Sequence, residues 1–314
     1  MKNGSKISWP QNRRFAFTIF DDTDWATVKN VRPVYDFLRD LGIRTTKSVW
    51  ISRGKGRATN RGMTCEDREY LGWVHSPQDQ GFEIGFHNAA PTTSNTRQTR
   101  EGLDRFRALF GDQKIVHCNH VGCLENIYWG DARLSGWRRH LYNLLTGGRR
   151  RELFRGHVEG DPLFWGDLCQ ERVRYVRNFV FDDLNMLALC PELPYHDASR
   201  PYVDFWFPSV NGGSLECFLR NFTRTRVDRL VEDGGLALVY VHFAAGFASD
   251  GRVRGEFRKR MEYLASKDGF FAPVSVILDF LRKGQNPTER VIEPKRLSRL
   301  ETRWLLNRVL KGTV

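Results

Sequence analysis

Short runs of β-branched and aromatic residues alternate with helical patterns along nearly the whole chain. Arg14–Phe20 (RFAFTIF), Ile43–Ile51, Phe82–His87, Lys114–His120, Tyr175–Phe181, Val203–Phe207 and Leu236–Phe243 (LALVYVHF) predict strands, the last being the clearest buried one. Between the first two, Val28, Val31, Val34/Tyr35, Leu38 and Leu41 recur at helical spacing and stop at Gly42. Further helices are predicted from Cys65 to about His75, from an Asn95 or Thr96 cap to Phe110, over Leu134–Leu145, within Leu215–Val231, over Glu256–Ala265 and over Val274–Lys283. Strands separated by helices of about 10–15 residues imply βαβ units and a parallel sheet. With roughly seven such units, an α/β barrel is the economical reading, ahead of a doubly wound open sheet. No Gly-rich nucleotide fingerprint follows any strand.

The pattern divides the chain into a barrel over 1–283, with an irregular aromatic insertion around 147–201, and a basic C-terminal extension over 284–314. In that extension Leu297, Leu300, Trp304, Leu305 and Val309 share one helical face opposite Arg299, Arg303 and Arg308. A helix packed on the barrel is the favoured reading, with an interfacial membrane helix as the alternative. Aromatics are 13% of the 314 residues, ample for a core, and no apolar run reaches the length of a membrane span. The polar, basic stretch Met1–Arg14 does not resemble a secretory signal, so a cytoplasmic protein is expected. The six cysteines, without a C-x-x-C pair, then read as free thiols. A formal charge of +12 favours anionic partners. The basic residues form no compact stripe with interleaved aromatics, and nucleic acid is not an expected partner.

In α/β barrels, chemistry gathers at the C-terminal ends of the strands. Four polar groups stand there: Asp21-Asp22-Thr23-Asp24, His87-Asn88, His117 to His120, and His242. One carboxylate and imidazoles from separate strands can hold a divalent ion such as zinc with a position open to water. A second carboxylate and a further histidine can act as base and acid. The plainer reading is that Asp21, Asp22 and Asp24 cap the following helix, which explains one aspartate better than three. Strand alternation sets His117 and Asn119 on the face opposite His120.

RFAFTIFDDTD resembles the first motif of the polysaccharide deacetylase (carbohydrate esterase) family, T-F-D-D-G. GFEIGFHNAAP resembles its second, H-[ST]-x-x-H-P, and LALVYVHF its last, a strand ending in histidine; the matched frame spans Phe15 to Leu281. The resemblance implies a distorted seven-stranded (β/α) barrel and metal-dependent removal of an acyl group from a carbohydrate or glycolipid precursor. It implies Asp21 as general base, Asp22 and His87 as ligands of the metal, most simply Zn2+, and His242 as general acid. Pro91 stands where the family has its second histidine, and His117-Cys118-Asn119-His120-Val121-Gly122 replaces the arginine-bearing third motif. His120 is therefore the candidate replacement ligand. Asn88, Asn119, Trp165 and Trp206 are candidate substrate contacts, the tryptophans as platforms for a pyranose face. The expected substrate is a carbohydrate or glycolipid, with an anionic one suited to the charge surplus. The rival reading is a non-catalytic carbohydrate-binding or scaffold protein with a degenerate barrel.

Overall fold

The computed structural model describes residues 7–56, 58–283 and 287–311; the first six residues of the Met1–Arg14 stretch read for a leader lie outside it. The chain runs β1 (Phe15–Asp21), α1 (Val28–Asp40), β2 (Thr46–Val49), α2 (Arg68–Asp79), β3 (Glu83–Phe86), α3 (Thr96–Phe110) and β4 (Ile115–Cys118). It continues through α4 (Gly136–Leu145), α5 (Gly166–Arg172), β5 (Val173–Phe181), α6 (Met186–Leu189), β6 (Phe205–Gly212), α7 (Leu215–Asn221), α8 (Arg224–Asp233) and β7 (Leu236–Val241). A small antiparallel pair, β8 (Ala248–Ser249) and β9 (Arg252–Val253), precedes α9 (Gly255–Ala265), β10 (Gly269–Phe271), α10 (Val274–Arg282) and α11 (Pro294–Lys311).

Strands β1 to β7 lie side by side in chain order, all parallel, and β7 pairs back onto β1 over Ala16–Asp21. The sheet therefore closes into a seven-stranded barrel ringed by helices, and the open-sheet alternative is excluded. Closure is uneven. β2 meets β1 only at Phe20 and Asp21, and β10 pairs with Phe15–Phe17 in the space left below. The sequence pattern missed β10, because three residues between two helices carry no periodicity. Strand side chains are buried almost without exception, as expected of parallel strands covered on both faces. Gly85 on β3 lies against the Phe20 ring, where a β-carbon would stand 3.0 Å from Cζ.

Local signals set the helix starts. Thr27 and Asn30 form a capping box on α1, and Asn95 and Gln98 form one on α3. The region expected as one helix within Leu215–Val231 is two, because Thr223 starts a new N-cap after Phe222. β5 belongs to the barrel although the stretch expected as an insertion contains it. The C-terminal α11 packs on the barrel: Trp304 is buried against Tyr142 and Phe179. The buried Glu301 carboxylate accepts from Arg138 Nε at 2.8 Å, Ser135 Oγ at 2.8 Å and Arg200 Nη2 at 3.3 Å. No helix among the described residues is long and apolar enough to cross a membrane.

The loop after β4 holds a second buried carboxyl, Glu125, whose Oε1 accepts from Asn88 Nδ2 at 3.0 Å. Burial pushes its pKa up to about 7, against hydrogen bonds that pull it down. The folded protein thus binds this proton more tightly than the unfolded chain does. Its contribution to stability is full below the unfolded value of 4.5 and falls as pH rises toward 7, by about 3 kcal/mol at most. Glu125→Gln should therefore gain stability relative to wild type between pH 5 and pH 8 in urea unfolding. A wild-type-to-variant difference that stays constant over that range would show that Glu125 is not held protonated.

Candidate functional site

The C-terminal ends of β1, β3, β4, β5 and β7 surround a cleft of about 430 Å³. Asp22 follows β1 in an extension of the β1–β7 ladder, its N–H donating to Val241 O at 2.9 Å. The chain then turns inward: Ala26 N–H donates to Thr23 O, and Trp25 adopts a left-handed φ of 55°. This turn carries the Asp24 carboxylate into the barrel mouth.

Asp24 is the hub. Its Oδ2 stands 3.0 Å from His87 Nε2 and 3.5 Å from His242 Nε2, and its Oδ1 3.3 Å from His120 Nδ1. Asn60 Nδ2 donates to Oδ1 at 2.7 Å. Burial alone would raise the Asp24 pKa, but the surrounding imidazoles of His120, His242 and His87 hold it far below the carboxylate range. Three strands thus aim imidazoles at one carboxylate. The sequence reading placed Asp24 in the polar group after β1, on the signal of a third aspartate in four residues, but gave it no ligand role of its own.

Asp22, expected as a ligand, lies in two of the groups able to hold an ion and is also held by an arginine. Arg177 on β5 grips it through both nitrogens, Nη1 to Oδ1 at 2.7 Å and Nη2 to Oδ2 at 2.6 Å. Against its burial, the guanidinium lowers the Asp22 pKa. The arginine thus comes from β5, not from the segment after β4. It was hidden in sequence because RYVRNFVF reads as one buried strand. Asp22 also accepts from Cys118 Sγ at 3.1 Å.

Asp21 does not reach the cleft. Strand alternation turns it outward under α1 and α2, so the general-base role expected of it has no access to substrate. There it accepts from Tyr35 Oη at 3.0 Å and Phe243 N–H at 2.8 Å and pairs with Lys47 Nζ at 3.2 Å. Despite burial, Asp21 holds the Lys47 ammonium above its usual pKa.

Whether a cation suits the Asp24 cluster can be judged by counting protons. The short contacts Asp22···Cys118 (3.1 Å), Cys118···His87 Nδ1 (2.7 Å) and His87 Nε2···Asp24 (3.0 Å) form one chain. Burial keeps the Cys118 thiol protonated and lowers the His87 pKa, while both carboxylates are ionised. A neutral imidazole and a thiol supply two protons for three contacts. With the thiol donating to Asp22 and Nδ1–H to sulfur, the Nε2 lone pair faces the Asp24 carboxylate. A cation between them removes the conflict. His120 Nε2 is buried without a partner, so this ring too is incompletely satisfied. Donors about 2.0–2.1 Å from a tetrahedral ion lie roughly 3.3 Å apart, close to the separations around Asp24. Asp24, His87 and His120 form one group able to hold an ion; Asp22, Asp24 and His242 form another, and Asp22, His87 and Cys118 a third. Of the expected ligands, His87 and His120 come together, with Asp24 in the place given to Asp22.

His242 lies at the rim beside the exposed Trp25 ring. Its Nδ1 faces Gly213 O at 3.1 Å. Burial lowers its pKa, but Asp24 and Asp22 outweigh this and the net shift is upward.

Of the candidate substrate contacts, Asn119 alone borders the cleft, and its amide is already paired with the main chain of Ile127. Asn88, at φ 59°, braces the loops, donating to Glu125 and Asn126 and accepting from His120 N–H at 2.9 Å. Trp165 and Trp206 are core residues rather than platforms; Trp165 Nε1 donates to Glu125 O at 2.6 Å. His117 is buried away from the cleft, where burial takes its pKa down to about 3. The aromatics that do border the cleft are Tyr240 and Trp129, the latter not singled out by the sequence reading.

No protein-family model matches the chain, and no curated protein matches it. Two solved structures described as putative polysaccharide deacetylases are similar to it. The one from Mycobacterium smegmatis is 12% identical with a TM-score of 0.49, covering 92% of this chain and 95% of that one. The other, involved in O-antigen biosynthesis in Bordetella bronchiseptica, is 13% identical with a TM-score of 0.37, covering 94% and 93%.

The site separates Asp24 from Asp21 in a testable way. Asp24→Ala should leave the full chain unable to retain zinc through dialysis, while Asp21→Asn should retain it and lose stability. Metal analysis beside thermal unfolding reads both; zinc retained by Asp24→Ala would remove Asp24 from the ligand set. Asn88→Ala, which frees the His120 N–H, should weaken zinc binding about 10–100-fold, as loss of an orienting partner does. Unchanged affinity would make Asn88 a loop residue only.

Proposed function

We propose that this chain is a metal-dependent hydrolase that removes an acyl group from a carbohydrate. The observation that carries the reading is the single carboxylate ringed by three imidazoles, Asp24 with His87, His120 and His242, at the catalytic end of a parallel barrel. Asp24, His87 and His120 would hold the ion, and zinc suits a set of one oxygen and two nitrogen donors. When bound, such an ion acts as a Lewis acid toward an acyl carbonyl and eases the ionisation of water.

The remaining residues divide the proton work. Asp22, ionised and locked in orientation by Arg177, takes the proton of the attacking water; its grouping with Asp24 and His242 puts it beside the ion-binding atoms. The Asp22–Arg177 pair fixes direction at the cost of basicity. His242 holds a proton through its contact with Asp24 and delivers it to the departing amine or hydroxyl. Tyr240, whose Oη lies 3.4 Å from His242 Nε2, steadies that ring.

An acetylated oligosaccharide or chromogenic acetyl ester should be deacylated by the zinc-loaded chain and not after chelation. His242→Ala and Asp22→Asn should each lower kcat by about 10²–10⁴-fold with zinc still bound, the range for loss of acid–base catalysis. Full turnover after both chelation and His242→Ala would overturn the hydrolase reading. Stoichiometric zinc with no turnover on any acyl sugar would favour a binding protein instead.

A further inference from the structure

The cleft continues past the Asp24 cluster to a basic wall. Arg133, Arg150 and Arg308 border it together with Trp129. Arg133 is 3% exposed and lies between two indoles, its guanidinium carbon 3.8 Å from the Trp129 ring centre and 4.4 Å from that of Trp304. Its Nη1 donates to Asn178 O at 3.2 Å, but Nε and Nη2 are buried with no partner, and so is Trp129 Nε1. A buried donor without an acceptor costs about 1–3 kcal/mol, more when charged. Arg133 and Trp129 both border the cleft, so these three unsatisfied donors lie next to a space that an acceptor from outside can enter.

The neighbouring carboxylates are committed elsewhere. Asp131 pairs with Arg139, and Glu301 with Arg138 and Arg200. Among the described residues no carboxylate lies within 4.0 Å of Arg133 or Arg150. Burial, with the charges of Arg308 and Arg150, takes the Arg133 pKa down to about 9, so the cluster repels itself. The Tyr142 hydroxyl supports Arg133 from one side, and the remaining unpartnered atoms of Arg133 and Trp129 are donors. A carboxylate offers two oxygens; a phosphoryl group offers three, in a geometry that guanidinium nitrogens match.

We propose that this wall is a phosphoryl subsite, and that the substrate is an acyl sugar bearing a phosphate or diphosphate group. Arg133 and Trp129 form its floor, and Arg150 and Arg308 close it from the 149–151 turn and from α11. The substrate assignment rests on the hydrolase reading; the subsite itself does not. The phosphoryl group orients the sugar so that its acyl carbonyl meets the Asp24 cluster. The same chemistry could be presented by a soluble sugar phosphate or by a phosphate-linked lipid.

Inorganic phosphate is the first probe, titrated into the full chain while tryptophan fluorescence is followed, since Trp129 and Trp304 flank Arg133. Arg133→Gln, and separately Arg150→Gln with Arg308→Gln, should weaken binding at least about tenfold, as expected for lost charge-assisted hydrogen bonds. The double variant covers the possibility that a change at buried Arg133 unfolds the chain. Asp24→Ala should bind phosphate like wild type; loss of binding in Asp24→Ala alone would place the anion on a metal and overturn the proposal. So would phosphate affinity unaltered in the double variant. Failure of deacylation with phosphate binding intact would count against the hydrolase reading alone. Phosphatidylcholine vesicles with and without a polyprenyl phosphate separate the sources: binding only to the former points to a lipid-linked substrate, and equal binding to soluble sugar phosphate points to a soluble one.

Discussion

A carboxylate taken out of water must be compensated, and here one carboxylate organises the molecule's chemistry. Asp24 lies at the barrel mouth with three imidazoles within 3.5 Å. Each imidazole arrives from a different strand end, so the cluster exists only while β1, β3, β4 and β7 keep their register. The capping box at Thr27, the left-handed Trp25 and the Asn60 amide all hold the short segment that carries Asp24. Asp22 and Arg177 add a second layer across the barrel and link β5 to the same centre. Donors prepaired in this way lose little freedom when they take up a ligand.

The fold was legible because parallel barrel strands are apolar on both faces and leave a plain signal between amphipathic helices. LALVYVHF and RFAFTIF are the clearest cases, and they are the two strands that close the barrel. β10 was not legible; three residues cannot display a period, and their pairing depends on how far β2 splays from β1. At the site, His87, His120 and His242 were readable as polar residues ending apolar runs. The roles of the aspartates were not. Asp21, Asp22 and Asp24 look alike in sequence, and only the pleat of β1 and the turn after it separate an outward ion pair, an arginine-held carboxylate and an imidazole hub. Arg177 was invisible for the same reason, since its partner is 155 residues away.

The C-terminal helix shows how a compositional boundary can mislead. Residues 284–314 differ in composition from the rest, yet α11 inserts Trp304 between Tyr142 and Phe179 and buries Glu301 among Ser135, Arg138 and Arg200. One turn beyond Trp304, the same helix presents Arg308 to the cleft. The segment is thus part of the wall of the site.

Among the described residues three overlapping donor groups share this mouth, and one of them, through Cys118, brings sulfur. The account assigns the ion to Asp24, His87 and His120 and leaves Cys118 as a protonated thiol between His87 and Asp22. X-ray absorption at the zinc edge of the loaded full chain reads this directly. The prediction is a shell of nitrogen and oxygen alone, near about 2.0–2.2 Å. A zinc–sulfur distance of about 2.3 Å would put Cys118 in the ligand set and contradict the central place given to Asp24.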